Sequence, residues 1–73
     1  MSQTQTTRIT VNGEPRGETP ETLHALIVAE GLDPERRGLA VARNGRVVPR
    51  RDWEATALEA GDAIEIVKPF AGG

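Results

Sequence analysis

Few residues in this chain can do chemistry on their own. There is one histidine, His24, one serine, Ser2, and neither cysteine nor tyrosine. No Ser-His-Asp or Cys-His arrangement can be assembled from that inventory. The lack of cysteine also removes disulfides, thiolate metal ligands and thiol nucleophiles. The acidic residues are scattered, and so small a domain offers little enclosed volume in which to shift a carboxyl pKa. His24 has no second histidine to partner it and lies in an apolar-periodic stretch, so it reads as a surface or half-packed helix residue. One stretch remains, Lys68-Pro69-Phe70-Ala71-Gly72-Gly73. A Gly-Gly pair is weak by itself in a chain holding 8 glycines among 73 residues, and terminal composition often means little. The rest of the sequence has to decide whether this tail is slack or the working part.

The elements that would carry it alternate clearly. Arg8-Ile9-Thr10-Val11 switches polar and apolar, and Asn12-Gly13 after it is a strong two-residue hairpin signal. Pro15-Arg16-Gly17-Glu18 reads as a short return strand at a sheet edge, where proline is tolerated. Thr19 then offers an N-cap, Pro20 a first helical position and Glu21 a charge at the positive end of the dipole. Leu23, Leu26, Ile27 and Glu30 recur at helical spacing, and Gly31 is a natural stop with Leu32 packing behind it. Asp33 to Gly38 is a polar connection, and its Arg36-Arg37 doublet reads as a solvated loop. Leu39 to Arg43 is a strand, Asn44-Gly45 a second hairpin turn, and Arg46-Val47-Val48 the return, cut by Pro49. Asp52-Trp53-Glu54 and Leu58 form a connecting turn with apolar anchors. Gly61-Asp62 turns again, and Ala63 to Lys68 alternates as the last strand. One helix must therefore cover one face of one sheet.

Composition agrees with a single small domain. At 73 residues the chain buries roughly 60% of its extended surface on folding. The longest apolar run, Ala25 to Ala29, is too short to span a bilayer, and Met1 to Arg8 lacks the apolar core of a signal peptide. A soluble cytoplasmic protein with no membrane partner is expected. The net charge of −2 and the two aromatic residues, Trp53 and Phe70, argue against nucleic acid.

The strand, strand, helix, strand, strand, strand order resembles the ubiquitin-like β-grasp. This α+β fold has a mixed sheet of four to five strands covered on one face by one helix. In that superfamily the first and last strands pair in parallel at the sheet centre. Ala42-Arg43-Asn44-Gly45-Arg46-Val47-Val48-Pro49-Arg50 with Trp53 after them, Leu58 to Ile66, and Gly72-Gly73 closely resemble the ThiS family of sulfur carriers in thiamine biosynthesis. The resemblance spans roughly residues 8 to 73. It implies a non-enzymatic carrier, a co-substrate of its partners. The Gly73 carboxyl would be adenylated by a ThiF-like adenylyltransferase using ATP and converted to a thiocarboxylate with sulfur from a donor enzyme. The thiocarboxylate would then be consumed by a ThiG-like thiazole synthase. No cofactor is expected to be bound.

The residues suit that reading. A carboxylate is a poor electrophile until one oxygen becomes a leaving group, so a partner must supply ATP and an activating site. Gly72 and Gly73 present no side chain to block a narrow channel and no φ restriction to oppose threading. Residues 69 to 73, if extended, reach about 17 Å at ~3.4 Å each. Pro69 removes a backbone donor and should end the last ladder. We therefore divide the chain into a flexible N-terminus over 1–7, a β-grasp domain over 8–68 and a flexible functional C-terminal tail over 69–73. Pro69, Phe70, Ala71 and Gly72, together with Arg50, are assigned to partner binding.

Other features carry two readings. Arg43, Arg46, Arg50 and Arg51 form a run without acids, either a solvated turn or a docking patch for an acidic surface. Trp53 reads mainly as a packing anchor, Phe70 as a side chain for a partner pocket. Lys68-Pro69-Phe70 leans towards the proline-containing tail of MoaD-like molybdopterin synthase small subunits, the alternative pathway. A ubiquitin-like protein modifier would use the same tail on lysines. A regulatory β-grasp module of the TGS type would make Gly-Gly incidental.

Overall fold

The computed structural model describes residues 8–69. Five strands form one mixed sheet in the order β2-β1-β5-β3-β4. They are β1 (Thr10–Val11), β2 (Glu14–Pro15), β3 (Ala40–Arg43), β4 (Arg46–Val47) and β5 (Ala63–Val67). A helix, α1 (Leu23–Ala29), covers one face, and a 3-10 helix runs over Arg50–Ala55. β5 lies at the centre, parallel to β1 and antiparallel to β3. This is the arrangement that the resemblance implied.

Both Asn-Gly pairs make hairpins. Asn12 and Asn44 each have φ 52°, and Gly13 and Gly45 each have φ 86°. A two-residue type I′ loop needs positive φ at both central positions, which asparagine and glycine adopt at least cost. The first hairpin is shorter than the sequence suggests. β2 ends at Pro15 because β1 offers only Thr10 and Val11 as ladder partners. One further bond joins the Arg16 N–H to the Ile9 carbonyl at 3.0 Å, and Gly17 and Glu18 lie outside the sheet.

The helix starts at Leu23 with Thr22 as N-cap, three residues later than the expected Thr19 cap. Thr22 is extended (φ −132°, ψ 165°), and its hydroxyl accepts from the Ala25 N–H at 3.1 Å. Extension is enforced from a distance. The Leu23 N–H donates to the Thr56 carbonyl, and the Leu58 N–H donates to the Glu21 carbonyl, each at 3.0 Å. Residues 21–23 are thus paired with 56–58, which holds Thr22 extended and delays the first helical turn to Leu23. The helix ends as expected at Gly31 (φ +83°), with Gly31 N–H to Val28 and Leu32 N–H to Ile27 carbonyls satisfying the last turn.

The core lies between α1 and the sheet. It comprises Ile9, Val11, Leu23, Leu26, Ile27, Leu39, Val41, Trp53, Leu58, Ile64 and Ile66. Alternation along β5 puts Ile64 and Ile66 inside and Ala63, Glu65 and Val67 outside. Trp53 is the largest fully buried side chain. Its Nε1–H donates to the Val48 carbonyl at 2.9 Å, so its one polar atom is satisfied. The packing-anchor reading of Trp53 holds.

Candidate functional site

The residues leading to the tail are held by three elements. β5 is the central strand, with neighbours on both sides, and the chain passes from Val67 through exposed Lys68 to half-buried Pro69. Pro69 rests on Gly38, at the foot of β3. A Cβ built on Gly38 would stand 2.9 Å from the Pro69 Cβ, closer than real carbons approach, and Gly38 has φ +85°. Position 38 is therefore bare for two reasons: its backbone is left-handed, and the proline ring fills the space where a side chain would go.

The loop before Gly38 is tied at both ends. The Asp33 carboxylate accepts from the Glu35 N–H at 2.9 Å, and its carbonyl accepts from the Arg36 N–H at 2.9 Å. Arg50 reaches across from the start of the 3-10 helix. Its guanidinium donates to the Pro34 and Arg36 carbonyls and lies 4.7 Å from the centre of the Trp53 ring. A planar fork of donors above an aromatic face is a geometry that arginine can adopt and lysine cannot.

The arginine run is divided among different tasks. Arg43 pairs with buried Asp62 at 2.9 Å, and Arg50 clamps the loop. Arg46 and Arg51, like Arg36 and Arg37, are exposed and pair with no carboxylate among the described residues. Asp62 holds the turn before β5: its carboxylate accepts from Arg43 Nε, Asn44 Nδ2 and the Glu59 N–H, each at 2.9 Å. Burial pushes this carboxyl up, but the three donors outweigh burial and its pKa lies below the ordinary value. Glu30, hydrogen-bonded by Arg16, is likewise lowered, and Arg16 is raised. Arg16 donates twice to Glu30 and pairs with Glu14, so in the adjoining groove beside α1 the carboxylate of Glu18 is the one charge left without an ion-pair partner among the described residues.

The outer sheet face opposite α1 is exposed and mixed, with alanines and valines around the exposed carboxylate of Glu65. Val47 stands across from Ala42 and Val67 across from Ala40, and the two valines are 74% and 62% exposed. His24 is half-buried on α1, 3.7 Å from Glu54 of the 3-10 helix. Among the described residues, no three of His, Cys, Asp and Glu are grouped to hold a metal, and no helix is long and apolar enough to cross a membrane.

Residues 9–73 match the ThiS family as one continuous stretch. The chain belongs to the ThiS family. It is 38% identical over 53 residues to the sulfur carrier protein ThiS of Escherichia coli (strain K12), covering 73% of this chain and 77% of that one. It is 40% identical over 67 residues to a thiazole synthase of Magnetococcus marinus, covering 90% of this chain and 20% of that one. The chain thus spans about a fifth of that relative's length. Among solved structures it resembles the thiamine biosynthesis protein ThiS of Geobacter metallireducens, at 30% identity. The TM-score is 0.71 to the crystal structure, covering 90% of this chain and 99% of that one. The fold of this ThiS-family chain is the ubiquitin-like β-grasp.

Of the residues assigned to partner binding, Phe70, Ala71 and Gly72 lie outside the described residues, as does Gly73. Pro69 and Arg50 are described, and both are engaged within the chain. They are brought to the same loop, one at Gly38 and the other at Pro34 and Arg36. Sequence reasoning passed over Gly38. Its only signal was a glycine between a polar loop and a strand, which reads equally well as slack.

Proposed function

We propose that this protein is a sulfur carrier of thiamine biosynthesis, with the Gly73 carboxyl as its working group. A Gly73 carboxylate oxygen attacks the α-phosphorus of ATP in a ThiF-like adenylyltransferase. Pyrophosphate leaves, and an acyl-adenylate forms. A sulfur nucleophile at the hydrosulfide level, supplied by a donor enzyme, then adds to the acyl carbon. The C–O bond to AMP breaks, AMP departs, and the C–S bond of a thiocarboxylate remains. This product passes its sulfur to a thiazole synthase. The chain is a co-substrate throughout, and ATP is used by the partner.

The observation that carries this reading is the family match, which runs unbroken from the β-grasp domain to Gly73. The side-chain inventory supports it, since no cysteine is present to hold sulfur. The thiazole synthases that contain a similar segment support the choice of pathway over the molybdopterin alternative. The exposed Val47 and Val67, on a face that also carries Glu65, offer a partner a surface by which to hold the domain while the tail is engaged.

The test is a loading assay with ATP, a ThiF-like adenylyltransferase and a sulfide source, read by intact mass. The wild-type chain should gain the mass difference between sulfur and oxygen, and the product should support thiazole formation by thiazole synthase. Removing Gly73, or adding one residue after it, should abolish loading. Loading of either variant would overturn the reading.

A further inference from the structure

Two observations around Pro69 concern neither the carboxyl nor a partner. Gly38 combines a left-handed φ of +85° with a position where any Cβ would strike the Pro69 ring. Arg50, although exposed, spends its guanidinium on the carbonyls of Pro34 and Arg36, four and two residues before Gly38, and stacks it on Trp53. The Leu39 N–H closes the same loop onto the Arg36 carbonyl at 3.4 Å. A rigid core side chain, an arginine fork, a loop and a bare glycine thus form one connected support ending at the proline ring.

We propose that this support is a seat for Pro69 that fixes the heading of the chain as it leaves β5, so that Gly38 and Arg50 are positioning residues for delivery of the terminal glycines. The inference rests on the carrier reading above. Its physical basis is pre-orientation: anchoring the chain at Pro69 narrows the directions in which the residues that follow can leave the domain, and reacting groups lose rate steeply when displaced by about 1 Å. Pro69 suits the role because its ring fixes φ and gives the seat a rigid body to grip. Arg50 acts on its own chain and need not touch a partner.

The experiment compares variants in adenylation by a ThiF-like adenylyltransferase, following pyrophosphate release at varied carrier concentration. Gly38→Asn is the central variant, because asparagine tolerates positive φ and so isolates the collision with Pro69. Gly31→Asn is its control, with φ +83° and open space around the position. Gly38→Asn should lower kcat roughly tenfold or more, with KM little changed because docking of the sheet is untouched. Gly31→Asn should behave as wild type. In a Pro69→Gly background, where the ring is gone, adding Gly38→Asn should have no further effect beyond about twofold.

Arg50→Met keeps the stem and removes both loop bonds, so it reads the seat independently if Gly38→Asn folds poorly. It should lower kcat in the same sense and change the fluorescence of Trp53, the only tryptophan. Wild-type kcat in both Gly38→Asn and Arg50→Met, or a Gly38→Asn defect that persists without Pro69, would overturn the seat and leave the carrier reading standing. No adenylation of the wild-type chain would overturn both.

Discussion

Asn12 supplies both hydrogen bonds of a strand neighbour to Ile66. Its Oδ1 accepts from the Ile66 N–H at 2.9 Å, and its Nδ2 donates to the Ile66 carbonyl at 3.3 Å. The backbone ladder between β1 and β5 ends one step earlier, with the Asn12 N–H on the Ile64 carbonyl at 2.8 Å. There the chain must turn back into the hairpin, and the side chain continues the pairing that the backbone abandons. Asn12→Gly suits the positive φ and loses only these bonds. It should destabilise the domain by about 1–3 kcal/mol, since two groups of buried Ile66 lose their partners. Urea denaturation measures this, and a cost near zero would refute the pairing role.

Acid should weaken the fold through Asp62 and Glu30. Both carboxyls have folded pKa values below their ordinary ones. The unfolded chain therefore binds more protons, so stability rises with pH across this window. The stabilisation is complete above the ordinary carboxylate range of about 4 and is lost as pH falls through the lowered folded values. Asp62→Asn should flatten part of that acid limb. At pH 7 it should cost about 2 kcal/mol, because Arg43 and the Glu59 N–H lose their acceptor. Thermal melts of both proteins from neutral pH downwards check the slope; an unchanged acid limb would count against Asp62.

Threading makes a separate demand on the tail. Gly72→Val should leave the melting temperature within a degree or so, because terminal residues contribute little to folding. Loading should fall sharply, since a β-branched side chain widens the chain and restricts its dihedrals. Wild-type loading kinetics for Gly72→Val would remove the narrow-channel argument.

Docking and threading can be separated kinetically. Val47→Glu places a charge on the exposed outer face, where it disturbs no buried contact. It should raise the KM for adenylation roughly tenfold with kcat nearly intact, the converse of the seat variants. An unchanged KM would mean that the partner does not use this face.

The two hairpins, the last strand and the helix stop could be read from sequence because each is a local code. Asn-Gly demands its turn wherever it falls, and Ala63 to Val67 alternates without help from elsewhere. The helix start could not be read this way. Thr19-Pro20-Glu21 satisfies every local rule for a beginning, yet pairing of residues 21–23 with 56–58 holds Thr22 extended, and that partner lies more than thirty positions away. The same limit applies at the site. Arg50 looked like a free cation because the carbonyls it binds belong to another loop, and nothing beside Gly38 in sequence announces a proline 31 positions on. The tail stood out in the sequence by elimination and by family likeness, whereas the contacts of Pro69 with Gly38 are visible only in three dimensions.

The central place of β5 also bears on how the protein is made. A chain still being synthesised has α1 and both hairpins before it has the strand that joins them, so the sheet cannot close until β5 has emerged. Closure of the sheet and synthesis of β5 then become nearly one event. A product that stops before Val67 lacks the middle of its sheet, stays open, and is exposed to proteolysis. Chains that lack β5 would thus be removed by ordinary proteolysis, without any dedicated inspection.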